Sequence, residues 1–228
     1  MIKRRDFLKA TSVGGAALFT AADPLAGPAS GQEVKTSAYA AKDYTKLLAT
    51  PGFSGALLKN HFTLYQGYVT NTNKVLETLA QMLKDGKTAA PEFAELRRRL
   101  GWEFDGMRLH ELYFENLGGK NGIDASGKLA RKISEDFGGF ESWQKDFRAV
   151  GAMRGIGWAV LYQDPENGRL IDFWINEHDG GHLTGGRPIL VMDVFEHAYM
   201  IDYGLKKADY IEAFFRAVDW TAVESRLK

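Results

Sequence analysis

Hydrophobic residues recur at steps of three and four positions over two long stretches in the first half of the chain, a spacing typical of amphipathic helices. The first predicted helix spans residues 53–84 and ends beside Gly86, since glycine readily takes the left-handed conformation that follows a helix. The second begins near Pro91, because proline fits the first helical turn, and it ends before Gly118, with a bend or interruption expected at Gly101. Together the two stretches predict a helical hairpin.

The second half of the chain mixes helical and strand-like patterns. Residues 127–136, 139–154 and 206–219 are amphipathic at helical spacing. Turn-forming residues at 164–168 separate two short segments of aromatic and branched residues, and a third such segment follows. The three predicted strands are Trp158–Gln163, Leu170–Ile175 and Pro188–Val194. The sequence therefore predicts an α+β fold, in which an N-terminal helical hairpin precedes a part with a small three-stranded antiparallel sheet.

The N-terminus has the composition of a targeting segment. A basic head at residues 3–5 precedes residues 10–22, which are small or apolar and carry no charge. Such a run is too short to cross a hydrocarbon layer of ~30 Å as a helix, so it is typical of a cleaved signal peptide rather than of a membrane anchor. Small residues that suit a cleavage site stand at 20–22 and at 27–29.

The run Arg4–Lys9 (RRDFLK) resembles a twin-arginine signal. That resemblance implies that the twin-arginine (Tat) export machinery carries the folded chain, with its cofactor loaded, to the periplasm or out of the cell. We expect residues 1–29 to be the signal peptide, 30–50 a linker or arm, 51–119 the N-terminal helical hairpin domain and 120–228 the C-terminal α+β domain. Beyond the signal peptide no stretch is apolar enough to predict stable membrane insertion.

Charge and cysteine content narrow the kinds of site that the chain can hold. Basic and acidic side chains number 29 each, and removing residues 1–29 takes away four basic and two acidic ones, which leaves 25 and 27. Neither the full chain nor the chain without residues 1–29 has an excess of basic side chains that would suggest a broad basic surface. We therefore expect no nucleic-acid partner. The chain has no cysteine, which excludes disulfides and thiolate ligands. Any metal site must therefore use nitrogen and oxygen ligands.

The positions of the histidines suggest a metal site. His61 and His110 each lie among apolar residues of a predicted helix. Asp193 closes the third predicted strand and precedes His197 by four positions, a step at which a carboxylate oxygen and an imidazole nitrogen can face one ion. Three imidazoles and one carboxylate suit Fe, Mn or Zn. With one position left for solvent, the set favours a redox-active ion over a closed structural zinc site.

Several segments match the pattern of one family. Asp193–Tyr199 (DVFEHAY) resembles the signature D-x-W-E-H-A-[FY] of the iron/manganese superoxide dismutases, and His110–Leu117 resembles the helix that carries their second metal ligand. Shorter matches are Gly155–Trp158 with G-S-G-W, the run Tyr68–Asn73 after His61, Asp209-Tyr210 and Trp220. The resemblance extends over roughly residues 45–225.

This resemblance implies disproportionation of superoxide to dioxygen and hydrogen peroxide at one Fe or Mn ion per subunit. The implied metal ligands are His61, His110, Asp193 and His197, with a water or hydroxide as the fifth. Tyr68 would stand beside the substrate funnel, and Trp158 would line the metal pocket. Glu196 would reach the partner subunit's His197, which implies a homodimer whose interface is part of the active site.

The helix of the first ligand departs from the family pattern. His61 stands seven residues before Tyr68, where the family usually has eight, and this shortening suggests the loss of a helix bulge. Tyr65 stands at or near the place of a second family histidine. Elsewhere, Phe195 replaces the signature tryptophan, which keeps an apolar wall but loses an indole donor.

The residue expected to contact metal-bound solvent also differs. Iron-type members carry a glutamine four residues before the second ligand, and here that position is Gly106, which favours a manganese-type or cambialistic pattern. The alternative place is the end of the second strand, where we favour His178 and keep Glu177 as the competitor. His182 has no counterpart in the family, and we expect it to face solvent in a loop.

Two other functions stay open from the sequence. A different mononuclear metalloenzyme, a hydrolase or an oxygenase, could use the same four ligands, although the residues around them are aromatic and apolar rather than polar. A related metal-binding protein could keep the fold with weak or altered activity. The ligand types do not distinguish Fe from Mn, since both metals accept them.

Overall fold

A computed structural model describes residues 37–228, and Ala38–Lys228 form one compact unit. The predicted signal peptide, residues 1–29, lies outside the described residues. In the compact unit the helical hairpin and the α+β part share one hydrophobic core. Among the helices of the described chain, none combines the length and the apolar character that a membrane span needs.

The predicted linker covers residues 30–50, and the part of it that the structure describes, residues 37–50, packs onto the hairpin. Thr45–Ala49 form a short 3-10 helix in which Leu47 is buried. Upstream, the backbone N–H of Tyr39 donates to Asn73 Oδ1 and the Asn73 amide donates to the Tyr39 carbonyl, both at 2.8 Å. This end of the segment is therefore an ordered part of the folded unit.

The predicted hairpin is present as two long helices, α1 (Gly55–Lys84) and α2 (Pro91–Glu115), which pack along each other. Ser54 caps α1, since its Oγ accepts from the backbone N–H of Leu57 at 3.0 Å. The prediction of two helices is confirmed. The bend or interruption expected at Gly101 is wrong, because α2 is a regular α-helix through that position.

The second part contains shorter helices and the sheet. The helices are α3 (Lys128–Phe137), α4 (Phe140–Ala152), α5 (Met200–Tyr203), α6 (Lys207–Ala217) and α7 (Trp220–Ser225), with a 3-10 turn at Glu196–Ala198. The strands are β1 (Trp158–Gln163), β2 (Leu170–Ile175) and β3 (Arg187–Asp193). Their order is β2-β1-β3 and both pairings are antiparallel, which confirms the predicted α+β class.

The register of the sheet brings site residues to one end of it. Trp158, the first residue of β1, pairs with Ile175 on one side and with Asp193 on the other. Because Ile175 is the last residue of β2, the loop that carries His178 starts at this same end. The sheet thereby places Trp158, His178 and Asp193 near one another, and the hairpin packs against them.

Candidate metal centre

The four side chains predicted as metal ligands converge inside the core. His61 on α1, His110 on α2, Asp193 at the end of β3 and His197 in the 3-10 turn each offer one ligand atom, and these atoms all lie within 4.8 Å of one another. Asp193 Oδ2 is 3.1 Å from both His61 Nε2 and His197 Nε2. It is 3.7 Å from His110 Nε2. The arrangement joins two ligands from the hairpin with two from the α+β part.

His110 is oriented by the backbone of its own helix. Its Nδ1–H donates to the carbonyl oxygen of Gly106, one turn earlier, at 2.6 Å. Since the proton is on Nδ1, Nε2 carries a lone pair, and this buried atom has no hydrogen-bond partner within residues 37–228. A buried polar atom left without a partner costs roughly 1–3 kcal/mol. A buried lone pair that has no hydrogen-bond partner and lies close to three other potential ligand atoms indicates a metal ligand.

The charges of the cluster suit a bound cation. Burial works to raise the pKa of Asp193, but the neighbouring imidazoles of His197 and His61 hold that pKa below its usual value, so the carboxylate is ionised. Burial lowers the pKa of His61 and of His110, which keeps both imidazoles neutral and able to ligate. Burial works to lower the pKa of His197, but the carboxylate of Asp193 raises it overall, so a bound cation would displace a proton from this imidazole. One carboxylate and three imidazoles freed of that proton would leave an Fe or Mn ion a net positive charge.

Contacts outside the cluster hold Asp193 in place. Its Oδ1 accepts from the backbone N–H of Phe195 at 2.9 Å, and its carbonyl oxygen accepts from Tyr210 Oη on α6 at 2.6 Å. The Phe195 ring stacks on the His197 ring at a centroid distance of 5.3 Å. Phenylalanine therefore provides the apolar wall expected at this position, and α6 anchors the end of β3.

Tyr68, His178 and Trp158 form a hydrogen-bonded chain beside the ligands. Tyr68 Oη and His178 Nε2 are 2.7 Å apart, and Trp158 Nε1 donates to His178 Nδ1 at 3.1 Å. The Tyr68 ring also stacks on the His110 ring, with centroids 5.1 Å apart. Between His61 and Tyr68, α1 is a regular α-helix, as the suggested loss of a bulge implies. Tyr68 lies in the site despite the shortened step.

Trp158 decides which nitrogen of His178 carries the proton. An indole N–H can only donate, so Nδ1 accepts and the neutral imidazole carries its proton on Nε2. Burial lowers the pKa of His178 to about 4, which keeps the ring neutral at neutral pH. The Nε2–H then donates to Tyr68 Oη and leaves the hydroxyl proton of Tyr68 free. Burial raises the pKa of Tyr68 to about 12, so that proton is retained at neutral pH.

Gly106 allows Tyr68 its close approach to α2. A Cβ atom at position 106 would lie 2.7 Å from Tyr68 Cδ1, which is a steric clash. A larger side chain at position 106, such as glutamine, therefore has no room while Tyr68 keeps its place. Of the two candidates after β2, the structure places His178 beside Tyr68 and Trp158. The other, Glu177, has its Oε2 buried with no hydrogen-bond partner in the described chain.

Three further residues near the site make contacts that sequence patterns alone do not reveal. Tyr65 Oη donates to Glu111 Oε1 at 2.9 Å and so points away from the ligands. His182, which we expected to face solvent in a loop, lies in the loop with a side chain that is 31% exposed, and its Nε2 donates to the carbonyl of His178 at 2.7 Å. The Trp102 ring meets the His178 ring edge-on at 4.8 Å. The four-residue step between the two loop histidines is the one signal that hints at their contact.

Comparisons with known proteins decide the family. Residues 125–226 match the model for iron/manganese superoxide dismutases, C-terminal domain. The chain is 38% identical over 167 residues to a Haloferax volcanii protein named superoxide dismutase (Mn) 2, an alignment that covers 73% of this chain and 82% of that protein. The chain belongs to the iron/manganese superoxide dismutase family. It disproportionates superoxide, and its cofactor is one Fe or Mn ion per subunit, which the donors of the four-residue cluster fit.

Relatives named for iron match this superoxide dismutase nearly as well. A Cupriavidus metallidurans protein named superoxide dismutase (Fe) is 37% identical over 180 residues, covering 77% of this chain and 88% of the relative. A superoxide dismutase (Fe) of Aquifex pyrophilus is 37% identical over 194 residues, covering 82% and 90%. Because both metals appear among the names of similar proteins, similarity alone does not choose between Fe and Mn.

Proposed function

We propose that Tyr68, supported by a hydrogen bond from His178, delivers the protons with which this superoxide dismutase forms hydrogen peroxide. An Fe or Mn ion, when bound, would supply the electron chemistry, which is the transfer of one electron from one superoxide to the next. Forming hydrogen peroxide requires two protons in addition. The 2.7 Å contact between Tyr68 Oη and His178 Nε2 carries the proposal, because it puts a paired proton donor at the edge of the ligand cluster.

The hydrogen-bond directions support a proton route through Tyr68. Tyr68 gives its hydroxyl proton to the pocket, and the Nε2–H of His178, which already donates to Oη, stabilises the phenolate that is left. Trp158 keeps this donor in place by holding Nδ1. Solvent then restores the proton, since Tyr68 is only partly buried, and the restored hydroxyl delivers the second proton in the same way.

The Tyr68→Phe substitution tests this proposal while keeping the ring that stacks on His110. We expect unchanged metal content by elemental analysis and a decrease in kcat by about 10- to 100-fold, typical of losing a polar neighbour of a metal site. Superoxide consumption is measured directly by fast kinetics. The same elemental analysis of the unchanged protein identifies the resident metal. A Tyr68→Phe enzyme as fast as the unchanged one would contradict the proton route.

We also propose that the enzyme is a homodimer in which Glu196 accepts a hydrogen bond from the partner subunit's His197. In support, Glu196 is exposed, and the neighbouring His197 side chain keeps 26% of its surface accessible. Met200 and Ile201, which stand shortly after His197 in the chain, are 43% and 51% exposed. Exposed apolar residues beside a buried metal cluster are typical of an interface with another chain.

The Glu196→Ala substitution tests the dimer. We expect the molar mass from light scattering to fall toward the monomer on dilution, together with loss of activity. Glu95→Ala is the matched control, because Glu95 is an exposed acid on α2 that pairs only with Arg98 within the described residues. If unchanged protein is monomeric at all concentrations, the dimer is wrong.

We further propose that residues 1–29 direct the folded enzyme through the Tat pathway to the periplasm or out of the cell. The support is the basic head, the run RRDFLK and the short apolar stretch that follows. Replacing both Arg4 and Arg5 by Lys is expected to leave the activity in the cytoplasmic fraction of a Tat-competent bacterium. Lys3→Gln, which keeps the arginine pair, is the control. Export that survives the double substitution would contradict this route.

A further inference from the structure

We propose that His182 is a positioning residue that sets the place of His178 by holding its backbone. This inference rests on the proposed role of His178 in the proton route. His182 Nε2 lies 2.7 Å from the carbonyl oxygen of His178. A carbonyl oxygen only accepts, so Nε2 carries the proton and donates it. The hydrogen bond closes a four-residue turn directly behind the imidazole that contacts Tyr68.

The second nitrogen of His182 is tied to the sheet. Tyr162 Oη lies 3.0 Å from His182 Nδ1, and in the tautomer whose proton is on Nε2 the tyrosine hydroxyl donates to Nδ1. Tyr162 is 2% exposed and lies in the central strand β1. The ring of His182 is therefore held at both nitrogens, by the strand on one side and by the loop backbone on the other.

A third contact reaches the hairpin. Asp105 Oδ2 on α2 is 3.7 Å from His182 Nε2, and both side chains are about one-third exposed, at 32% and 31%. Asp105 directly precedes Gly106, whose missing side chain makes room for Tyr68. His182 thus lies where α2, β1 and the loop after β2 meet, next to the elements that place Tyr68 and His178.

The loop that carries His178 and His182 is rich in glycine. Between β2 and β3 it contains four glycines: Gly180, Gly181, Gly185 and Gly186. Gly181 and Gly185 have positive φ values of 86° and 78°. Glycine backbone loses more conformational entropy on ordering than any other residue, so such a loop needs specific contacts to stay in one conformation. The two hydrogen bonds of His182 provide such contacts next to His178, whose imidazole has to stay in place beside Tyr68.

Loss of the hydrogen bond from His182 to the His178 carbonyl would weaken both hydrogen bonds of the His178 imidazole. The imidazole of His178 is bound by Tyr68 at 2.7 Å and by Trp158 at 3.1 Å, and both contacts depend on where its backbone lies. A shift of the His178 backbone lengthens both without removing any ligand of the metal. The expected signature is thus a change in proton supply with intact metal binding.

The test compares His182→Leu, His182→Gln and Thr184→Ala in the metal-loaded enzyme. Leucine removes both nitrogens, whereas the glutamine amide can still donate to the carbonyl of His178. Thr184 is an exposed residue of the same loop and serves as the control. We expect His182→Leu to keep its metal, to lose about 10-fold in kcat, and to change the pH profile of kcat and the visible spectrum of the oxidised metal. Glutamine should restore most of the activity.

The outcomes separate this inference from the proposed proton route. If His178→Ala is impaired while His182→Leu matches Thr184→Ala, the positioning role is wrong and the proton route stands. If His178→Ala is itself fully active, the proton route is wrong and the positioning role falls with it. Should His182→Leu fail to fold, Tyr162→Phe removes only the donor to Nδ1, and we expect a smaller change of the same sign. Unchanged kinetics in Tyr162→Phe would then overturn the inference.

Discussion

Tyr68 Oη and His178 Nε2 lie 2.7 Å apart although 110 positions separate the two residues in the chain. Tyr68 belongs to α1, and His178 follows β2, so their contact joins the helical hairpin to the sheet. The four candidate metal ligands are divided in the same way, since His61 and His110 come from the hairpin and the other two come from the α+β part. Activity therefore depends on how these two parts dock.

The contact between Trp158 and His178 predicts a loss of activity without a loss of metal. Trp158→Phe keeps an aromatic ring but removes the donor to Nδ1, so the imidazole can take the other tautomer and cease donating to Tyr68. We expect kcat to fall by about 10- to 100-fold. Metal content, measured by elemental analysis, should stay the same.

Trp174→Phe is the matched control for Trp158→Phe. The indole nitrogen of Trp174 is buried and has no hydrogen-bond partner within residues 37–228, so its removal breaks no such bond there. We expect Trp174→Phe to keep full activity. Equal effects of the two substitutions would show that the loss of indole bulk, and not the hydrogen bond to His178, matters.

The unpartnered Nε2 of His110 predicts that this residue is required for metal retention. His110→Ala removes a buried ligand and leaves the carboxylate of Asp193 with fewer partners. We expect the variant to lose its Fe or Mn on dialysis against a chelator, and elemental analysis measures this directly. His182→Leu should keep its metal under the same treatment. An His110→Ala protein that retained one ion per subunit would contradict the ligand assignment.

The contact between Gly106 and Tyr68 predicts that even a methyl group is too large at position 106. Gly106→Ala puts a Cβ 2.7 Å from the Tyr68 ring and pushes the ring away from its stacking position on His110. We expect a decrease of about 1–3 kcal/mol in the free energy of unfolding. Activity should fall as Tyr68 moves.

Gly67→Ala serves as the opposite case for Gly106→Ala. Gly67 is an exposed residue of α1, and an added Cβ there meets nothing within 4 Å. Alanine favours the helix, so we expect stability to rise by up to ~1 kcal/mol with unchanged activity. Thermal and denaturant unfolding measure both variants. If Gly106→Ala were as stable as Gly67→Ala, the close packing of Tyr68 on α2 would be wrong.

Asp172 on β2 predicts how stability depends on pH. Burial raises the pKa of Asp172 to about 8, although Trp143 Nε1 donates to its Oδ1 at 3.1 Å and works in the other direction. The nearby charge of Asp146 on α4 raises this pKa further. Asp172 Oδ2 is buried with no hydrogen-bond partner in the described chain.

The folded state therefore holds a proton on Asp172 that the unfolded state releases near pH 3.9. Since the folded state binds more protons between about pH 4 and 8, the free energy of unfolding falls as pH rises through this window. Asp172→Asn removes the titration and keeps an acceptor for Trp143. We expect a flatter dependence and a gain of about 1–3 kcal/mol at pH 8, measured by denaturant unfolding. A slope unchanged by the substitution would contradict the assignment to Asp172.

Much of the fold could be predicted because its signals are local. The periodic hydrophobic positions of α1 and α2 and the branched segments of the three strands depend on neighbours close in sequence. Gly101 misled the prediction because glycine is a poor helix former in isolation, whereas in the structure the packing of α2 along α1 keeps the helix regular. Packing likewise orders the end of the predicted linker around Leu47.

By itself the sequence determined the elements of this enzyme, its four predicted metal ligands and its resemblance to a family, since each of these lies in residue types and short spacings. Only the tertiary structure decided that His178 rather than Glu177 contacts Tyr68, that Trp158 donates to His178 Nδ1, and that His182 contacts the carbonyl of His178. The physical reason is that hydrogen-bond direction and burial arise from residues far apart in the chain, and no local pattern records which of them meet.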